Sequence, residues 1–273
     1  MKIGILYICT GAYSVFWEKF YQSFSKNFCK NSELHYFVFS DKEMDFSGKI
    51  NIHFYKIQNQ PWPLITLLRF HTFLSVEDEL NKFDYLFFFN SNMECHSEVT
   101  EAEFLPNSEE GLLFVRHPGY VYSKKYCIPY ERNKKSTAFV PYRCGGKYVI
   151  GAVEGGETKN FLEMCRILKQ NIETDLKQNY IARWHDESHI NHFLCTLDNY
   201  KLLNPGYCYP VGFDLPFEKK IVGVSKQDKF DVKNFKFVTK ELSFWQKVYR
   251  RLDKKILPYM RFVFSLLKRE HVK

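Results

Sequence analysis

Residues 184–189, Trp-His-Asp-Glu-Ser-His, place an indole, two imidazoles, two adjacent carboxylates and a hydroxyl within six positions. An apolar helical pattern follows from Ile190 onward, so this stretch is predicted to open a helix. Paired carboxylates can bind sugar hydroxyls, stabilise a developing positive charge or act as nucleophiles. A structural alternative is that Asp186 caps the helix while Glu187 is stabilised by the positive end of its dipole. The stretch alone leaves both interpretations open.

The two histidines of this stretch imitate a zinc-binding motif. His185 and His189 are four positions apart, as in the HExxH sequence of zinc proteases. In that motif a glutamate directly follows the first histidine, whereas here Asp186 does so and Glu187 comes one position later. We therefore expect no zinc at this helix.

A second polar group follows the most hydrophobic run of the chain, Tyr85–Phe89. The run predicts a buried central strand, and Asn90-Ser91-Asn92 follow where parallel sheets place ligand-binding groups. Neutral amides hold Mg²⁺ or Mn²⁺ poorly, but their NH2 groups can donate hydrogen bonds to phosphate and sugar oxygens. A simple turn is the alternative interpretation, and the nearby carboxylate of Glu94 leaves room for a weak metal site.

The elements that must position these residues alternate between strand and helix. Residues 2–9 form an apolar run that predicts a strand, and phenylalanines at every fourth position from Phe16 to Phe28 predict a helix. A second strand at Leu34–Phe39 completes a unit typical of parallel sheets, which bind ligands beyond the carboxyl ends of their strands. The turn lacks GxGxxG, which disfavours a dinucleotide site. The residues placed where a base could stack are Tyr7, Cys9, Thr10 and Tyr13.

Three further segments carry candidate polar groups. A helix is predicted over Leu64–Asn81, on which Arg69 is interpreted as a surface cation, with contact to an anion as the alternative. A strand at Leu112–Val115 ends before His117, which is either a ligand or a loop histidine with local partners. Residues 147–156 predict a strand running into a glycine-rich bend, where a ligand can approach the backbone closely.

Composition and charge limit the class of protein. The 273 residues are 45% hydrophobic and 18% aromatic, which indicates a globular chain with a substantial core. The formal charge is +8, and residues 241–273 contribute nine Lys/Arg against three Asp/Glu, so no basic groove for nucleic acid is predicted elsewhere. Eight cysteines without CxxC spacing predict buried thiols in a reducing compartment. The segment Met1–Ile8 is interpreted as a strand rather than a signal peptide.

The order and spacing of these motifs resemble glycosyltransferase family 6, which includes the blood-group A and B transferases, α1,3-galactosyltransferase and bacterial relatives. The resemblance implies a single GT-A-type α/β domain over residues 1–240, with a mostly parallel central sheet flanked by helices. It also implies a retaining enzyme that moves galactose or N-acetylgalactosamine from UDP to the 3-position of an acceptor galactoside in α linkage. The segments that carry it are Asn90–Asn92, His117–Gly119, Tyr130–Arg132, Gly151–Gly156 and Trp184–His189.

The resemblance also assigns roles by position. It implies that Glu187 is the catalytic carboxylate beneath the anomeric carbon and that Asp186 binds the donor sugar. The other implied donor-binding residues are Tyr7, Cys9, Tyr13, Arg69, Asn90, Asn92, Ala152 and Lys226. The implied acceptor-binding residues are His117, Tyr130 and Trp184. Because Asn-x-Asn replaces Asp-x-Asp, the chain resembles the bacterial branch that works without a metal, and no cofactor is expected.

Some positions depart from the animal enzymes. The donor-selecting positions fall on Ile150 and Ala152, and alanine resembles the galactose-using members because its methyl leaves less room for an acetamido group. Pro129 replaces a residue that often faces the acceptor, and Cys208-Tyr209-Pro210 lacks the acidic acceptor contact. These departures leave the identity of the acceptor undetermined, with a fucosylated galactoside among the candidates.

Residues 241–273 lie beyond the resemblance. Phe244, Val248, Leu252 and Ile256 repeat every four positions with basic residues mostly off that stripe, which predicts an amphipathic helical tail. Such a helix suits an anionic membrane surface, and a helix docked on the protein body is the alternative. Since no run approaches the ~20 apolar residues of a membrane span, we expect a peripheral protein on the cytoplasmic face of a bacterial membrane.

The sequence therefore supports three hypotheses. The first is a metal-independent, retaining transferase that extends a lipid-linked or surface glycan. The second is a catalytically silent protein that binds a glycan or nucleotide in the same pocket, which the presence of Asp186 and Glu187 disfavours. The third is a metal-dependent transferase in which Glu94 supplies the missing carboxylate.

Overall fold

The computed structural model describes residues 1–226 together with Tyr259, Met260 and Val263. The strands of that part are β1 Lys2–Ile8, β2 Glu33–Ser40, β3 Ile52–Lys56, β4 Tyr85–Phe89, β5 Met93–Cys95, β6 Leu112–Arg116, β7 Val149–Glu157, β8 Lys201–Leu203, β9 Tyr209–Pro210 and β10 Ile221–Gly223. Its α-helices are α1 Trp17–Asn27, α2 Leu64–Leu67, α3 Arg69–Leu74, α4 Glu77–Leu80, α5 Glu101–Phe104, α6 Thr158–Lys177 and α7 His185–Leu194. Apart from the three residues just named, the predicted tail at 241–273 lies outside the described residues.

Seven strands form one central sheet in the order β3-β2-β1-β4-β7-β6-β8. Strand β7 runs antiparallel to both of its neighbours, and the other pairings in this sheet are parallel. The predicted α/β fold with a mostly parallel sheet is therefore confirmed. A smaller sheet, β5-β10-β9, lies beyond the carboxyl end of β4 and brings the segment around Val224 to that edge.

The two faces of the sheet bury separate hydrophobic layers. Helix α1 covers one face through Phe20 and Phe24, which belong to the layer that contains Tyr7 of β1. Helices α3, α6 and α7 cover the other face, and their apolar side chains pack with Leu6 and Phe88. Central strands covered on both faces need apolar residues at every position, which explains the continuous run of β4.

The helix predicted over Leu64–Asn81 is wrong as a single element. The chain forms three short helices there, interrupted at Leu68 (φ −91°, ψ 9°) and at Val76 (φ −124°, ψ 25°). The first break directly precedes Arg69, whose side chain points into the protein. Apolar spacing remains helical through both breaks, so the pattern alone could not show them.

Candidate active site

The carboxyl ends of β1 and β4 meet at one edge of the sheet, where the predicted nucleotide-binding residues lie. The ammonium group of Lys226 lies 5.1 Å from the ring centre of Tyr13, so two predicted donor-binding residues contact each other. Asn92 holds the segment that leads to Lys226. Its side-chain Nδ2 donates to the carbonyl of Val224 at 2.7 Å, and its main-chain carbonyl accepts from Val224 N at 2.9 Å. The Asn92 amide therefore has a structural partner already.

The side chains of Tyr7 and Cys9 lie below this edge, which the Tyr7 hydroxyl reaches by donating to the Ser91 carbonyl at 3.1 Å. Both side chains are fully buried, and the Tyr7 ring packs 4.4 Å from Phe20 and 5.1 Å from Trp17, centre to centre. The Cys9 thiol contacts the sulfur of Met44. Because a ring enclosed in the core cannot stack on a base, Tyr13 is the aromatic of this group that is placed to do so.

Strand β7 connects the nucleotide end to the predicted catalytic helix. Asn90, directly after β4, donates from its backbone N to the carbonyl of Ala152 at 2.9 Å. One residue earlier, Gly151 N donates to Oε2 of Glu187 at 2.9 Å. A Cβ at Gly151 would lie 3.2 Å from Cβ of Glu187 and 3.3 Å from Oδ2 of Asp186. A side chain at position 151 would therefore require the two acidic residues to shift by a few tenths of an ångström.

Arg69 is a buried residue, so its interpretation as a surface cation is wrong. Its side chain is 3% exposed and its guanidinium lies over the Phe88 ring at 4.3 Å. Nη1 donates to the Gly151 carbonyl at 2.7 Å and lies 3.2 Å from Oδ2 of Asp186, while Nη2 lies 2.6 Å from Oε1 of Glu154. A buried guanidinium needs such partners, and the nearest ones are carboxylates of the site.

Two carboxylates at the start of α7 converge on this arginine and on Gly151. Burial raises the pKa of Glu187 to about 7, against the lowering effect of the Gly151 N–H. Burial also raises the pKa of Asp186, and the positive charge of Arg69 opposes that shift. A partly buried carboxyl with a pKa near neutrality, placed beside a buried ion pair, is a candidate for chemistry rather than for helix capping alone.

Helix α7 is fixed to β7 by a residue that the sequence analysis missed. Asn191 is fully buried; its Nδ2 donates to the carbonyls of Val149 and Glu187 at 2.8 and 2.9 Å, and its Oδ1 accepts from Val149 N at 2.9 Å. These bonds set the distance between the Glu187 carboxylate and Gly151. Asn191 follows Glu187 by four positions on the helix, but that spacing does not distinguish a buried asparagine that links two elements from an asparagine on the surface.

The predicted acceptor residues have different environments. Trp184 is 43% exposed, so its side chain is accessible to an acceptor. His117 accepts from Gly119 N through Nδ1 at 3.0 Å, and burial lowers its pKa to about 4, which keeps the ring neutral. Its ring lies 5.8 Å from that of Tyr148, whose pKa is raised by burial and by the neighbouring Glu187 carboxylate.

Tyr130 is an anchor for a loop rather than an exposed acceptor contact. Its side chain is 1% exposed, and its hydroxyl donates to the Lys147 carbonyl at 3.1 Å and accepts from Gly146 N at 3.0 Å. Both hydrogen-bonding functions are therefore satisfied within the protein. The expectation of direct contact between Tyr130 and an acceptor is not supported by this geometry.

The side chains of the two histidines of α7 have separate partners. The His185 ring packs edge-on to Trp62 at 4.7 Å, whereas His189 Nε2 lies 3.7 Å from Oδ2 of Asp175. Burial lowers the pKa of His189 to about 4. Glu94 lies on β5 with an oxygen 3.3 Å from His96 Nε2. Within residues 1–226, no three His, Cys, Asp or Glu side chains are grouped to hold a metal ion.

Comparison with known proteins identifies the group to which this architecture belongs. The sequence model of glycosyltransferase family 6 matches residues 1–236. The chain belongs to glycosyltransferase family 6. The predicted resemblance is therefore confirmed, and the fold agrees with a GT-A-like transferase domain.

Relatives within family 6 come from bacteria and animals. The chain is 36% identical over 228 residues to the O-antigen biosynthesis glycosyltransferase WbnI of Escherichia coli, covering 83% of this chain and 96% of that protein. It is 28% identical over 239 residues to globoside alpha-1,3-N-acetylgalactosaminyltransferase 1 of Gallus gallus, covering 84% and 68%. It is 25% identical over 215 residues to histo-blood group ABO system transferase 2 of Rattus norvegicus, covering 76% and 63%.

Membership of family 6 makes the cluster around Gly151 a candidate transferase site. The structure brings together Arg69, Asp186 and Glu187, which the sequence analysis assigned to donor sugar and catalysis from separate segments. It also places Glu154 against Arg69, which the sequence analysis did not predict. The roles of these side chains toward substrate are predictions.

Proposed function

We propose that this chain is a retaining transferase that moves galactose or N-acetylgalactosamine from UDP to the 3-hydroxyl of an acceptor galactoside in α linkage. The observation that carries the proposal is the Glu187 carboxylate, held by Gly151 N beside the Arg69–Asp186 ion pair at the carboxyl edge of the sheet. The names of the animal relatives support the α1,3 linkage and N-acetylgalactosamine as one donor sugar.

In the proposed reaction, the acceptor oxygen forms a bond to the anomeric carbon of the donor sugar. The bond between that carbon and the UDP oxygen breaks, and UDP leaves with the electron pair, while the acceptor hydroxyl proton passes to the departing phosphate or to solvent. Retention allows two routes. Glu187 either bonds to the anomeric carbon and is then displaced by the acceptor, or stabilises the positive sugar while the acceptor attacks from the UDP side.

Negative charge that develops on UDP needs a positive partner. Lys226, beside Tyr13, is a fixed cation at the nucleotide end, and the Asn90 amide lies at the adjacent end of β4. These groups would stabilise the leaving diphosphate electrostatically. The neutral Asn90 and Asn92 are poor ligands for a divalent ion, and the Asn92 NH2 is already bonded to Val224. We therefore propose a reaction that needs no metal.

We propose that the donor sugar lies against β7, where Ile150 and Ala152 limit the space available to it. Alanine at position 152 resembles the galactose-using members of the family, because its methyl group leaves less room for an acetamido substituent. Galactose is therefore the favoured donor sugar. N-acetylgalactosamine remains the alternative that the relatives' names support.

The experiment combines purified protein with UDP-galactose or UDP-N-acetylgalactosamine in EDTA, with and without a fucosylated galactoside, and measures UDP release and product linkage. Acceptor-dependent release in EDTA is the expected result. Activity restored only by Mn²⁺ would favour a metal-dependent enzyme that uses Glu94. Binding of UDP without release under any condition would favour a silent binding protein.

We further propose that residues 241–273 bind the cytoplasmic face of an anionic membrane. Their nine basic residues against three acidic ones support this placement. No helix among the described residues is long and apolar enough to cross a membrane. A chain ending at Lys240 should keep its activity but no longer sediment with vesicles of anionic lipid; continued sedimentation would contradict the assignment.

A further inference from the structure

Glu154 is an anomaly in the core of the sheet. It is fully buried at the centre of β7, where its neighbours in register are Phe88 on β4 and Phe114 on β6. Both phenylalanines belong to the apolar layer beneath α3 and α6. A carboxyl group in such a place costs free energy unless a partner compensates for the lost hydration.

The partner of Glu154 is the arginine of the candidate site. Oε1 of Glu154 lies 2.6 Å from Nη2 of Arg69, on the side of the guanidinium that faces the core. On the other side, Nη1 reaches Asp186 at 3.2 Å and the Gly151 carbonyl at 2.7 Å. Arg69 is thus held from both sides, by a core carboxyl and by the residues proposed to bind the donor sugar.

The charges of this cluster do not balance when every carboxyl is ionised. One guanidinium faces the three carboxyls of Glu154, Asp186 and Glu187, so the cluster is expected to hold a proton. Burial raises the pKa of Glu154 to about 8, although the Arg69 charge opposes that shift. If Glu154 holds this proton, its other carboxyl oxygen can still contact Arg69, and Asp186 is then the ionised partner of Arg69.

We propose that Glu154 is a positioning residue of the transfer reaction, which holds Arg69 from the core side and so fixes its contacts with Asp186 and the Gly151 carbonyl. This inference rests on the proposed function. It predicts that loss of Glu154 impairs use of the donor sugar while leaving the fold intact. A purely structural Glu154 predicts instead that stability and activity fall together.

The test compares Glu154→Leu and Glu154→Met, which remove the partner at similar volume, with Glu154→Gln, which keeps a carbonyl oxygen facing Arg69. The matched control is Glu157→Leu at the end of the same strand, where the glutamate contacts Asn160 and not Arg69. For the two apolar variants, kcat/KM for the UDP-sugar should fall on the order of 10- to 100-fold, as expected when a positioning contact is lost. Glu154→Gln and Glu157→Leu should stay within about threefold of the unmodified protein, a range too small to reflect a lost positioning contact.

Thermal unfolding separates positioning from a structural role. Replacing a whole buried ion pair with apolar residues is often neutral or stabilising, whereas removing one partner destabilises when the other charge is left unpaired. When Glu154 is replaced, Arg69 keeps Asp186 and the Gly151 carbonyl as partners. The melting temperature of Glu154→Leu should therefore match or exceed that of the unmodified protein while activity falls. A lowered melting temperature in both apolar variants with a proportional loss of activity, or kcat/KM within twofold for both, would overturn the inference.

Calorimetric binding distinguishes failure of this inference from failure of the proposed function. The apolar variants should bind UDP as the unmodified protein does, but bind UDP-galactose and UDP-N-acetylgalactosamine about tenfold more weakly, because a displaced Arg69 affects the sugar site alone. If the unmodified protein shows no turnover, the proposed function fails. The comparison of UDP-sugar affinities between the unmodified protein and the apolar variants still tests the role of Glu154. Equal affinity for the UDP-sugars in both proteins would overturn the role of Glu154.

Discussion

Replacing Glu187 with glutamine changes one charge and almost no volume. Oε2 of Glu187 accepts from Gly151 N at 2.9 Å, and the carbonyl oxygen of a glutamine can keep that bond. The nucleotide end, where Lys226 lies against Tyr13, is formed by other segments of the chain. Glu187→Gln should therefore leave UDP binding intact and affect only the chemistry at the sugar.

The magnitude follows from the charge that glutamine lacks. In both proposed routes a carboxylate faces a sugar carbon that becomes positive in the transition state. At a separation of about 4 Å and an effective dielectric constant of about 20, that attraction is worth about 4 kcal/mol. Its loss corresponds to a decrease in kcat of about 10³-fold. A route in which Glu187 bonds covalently to the sugar would lose still more.

The assay measures UDP release at saturating donor and acceptor, together with UDP affinity by calorimetry. We expect kcat to fall by about 10³-fold and the Kd for UDP to stay within about twofold, since UDP itself carries no anomeric carbon. The control is Glu157→Gln, a glutamate at the end of β7 with no contact to the site. A Glu187→Gln enzyme that keeps more than one tenth of the normal kcat would refute the catalytic assignment.

Three other predictions concern the pH dependence of activity, the choice of donor sugar and the contribution of Asn191 to stability. Because burial raises the pKa of Glu187 from 4.5 to about 7 and the ionised form is required, kcat/KM should fall about tenfold per unit below pH 7. A fall in kcat/KM that begins only near pH 4.5 would contradict the raised pKa of Glu187. Because the folded protein holds this proton more tightly than the unfolded chain, the free energy of unfolding should decrease as pH rises from 4.5 through 7. Ala152→Gly should increase the rate with UDP-N-acetylgalactosamine relative to UDP-galactose by about tenfold, whereas an unchanged ratio would place the acetamido group elsewhere. Asn191→Ala removes three side-chain hydrogen bonds to buried backbone groups and should lower the free energy of unfolding in urea by about 3 kcal/mol. A loss below about 1 kcal/mol would show that Asn191 does not fix α7 to β7.

Much of the fold follows from the sequence because buried strands have continuous apolar runs. β1 and β4 are recognisable on that basis, and the phenylalanines at every fourth position identify α1. The direction of β7 does not follow, because an antiparallel strand that is covered on both faces has the same apolar pattern as a parallel one. Its antiparallel course shapes the candidate site, since it brings Gly151 to the edge where Asn90 follows β4.

The site was predicted less completely, and the errors share one cause. Tyr7 and Tyr130 were assigned to ligands, and Arg69 was interpreted as a surface cation, yet all three side chains are buried. Aromatic and arginine side chains are long, so their exposure is decided by neighbours from distant segments rather than by flanking residues. Asn191 and Glu154 were missed for the same reason, because their partners lie 42 and 85 positions away along the chain.

The structural and catalytic interpretations of Asp186 and Glu187 prove to be compatible. The helix is preceded by Trp184, which makes no side-chain cap, and Asp186 is paired with Arg69. Both carboxylates nevertheless lie in the first turn of a ten-residue helix, where the dipole favours negative charge. That field offsets part of the cost of burying Asp186 and Glu187 beside a single guanidinium. The helix start thus counteracts part of the burial effect that raises the pKa of Glu187 to about 7, and for this reason its sequence also has the composition of a capped helix.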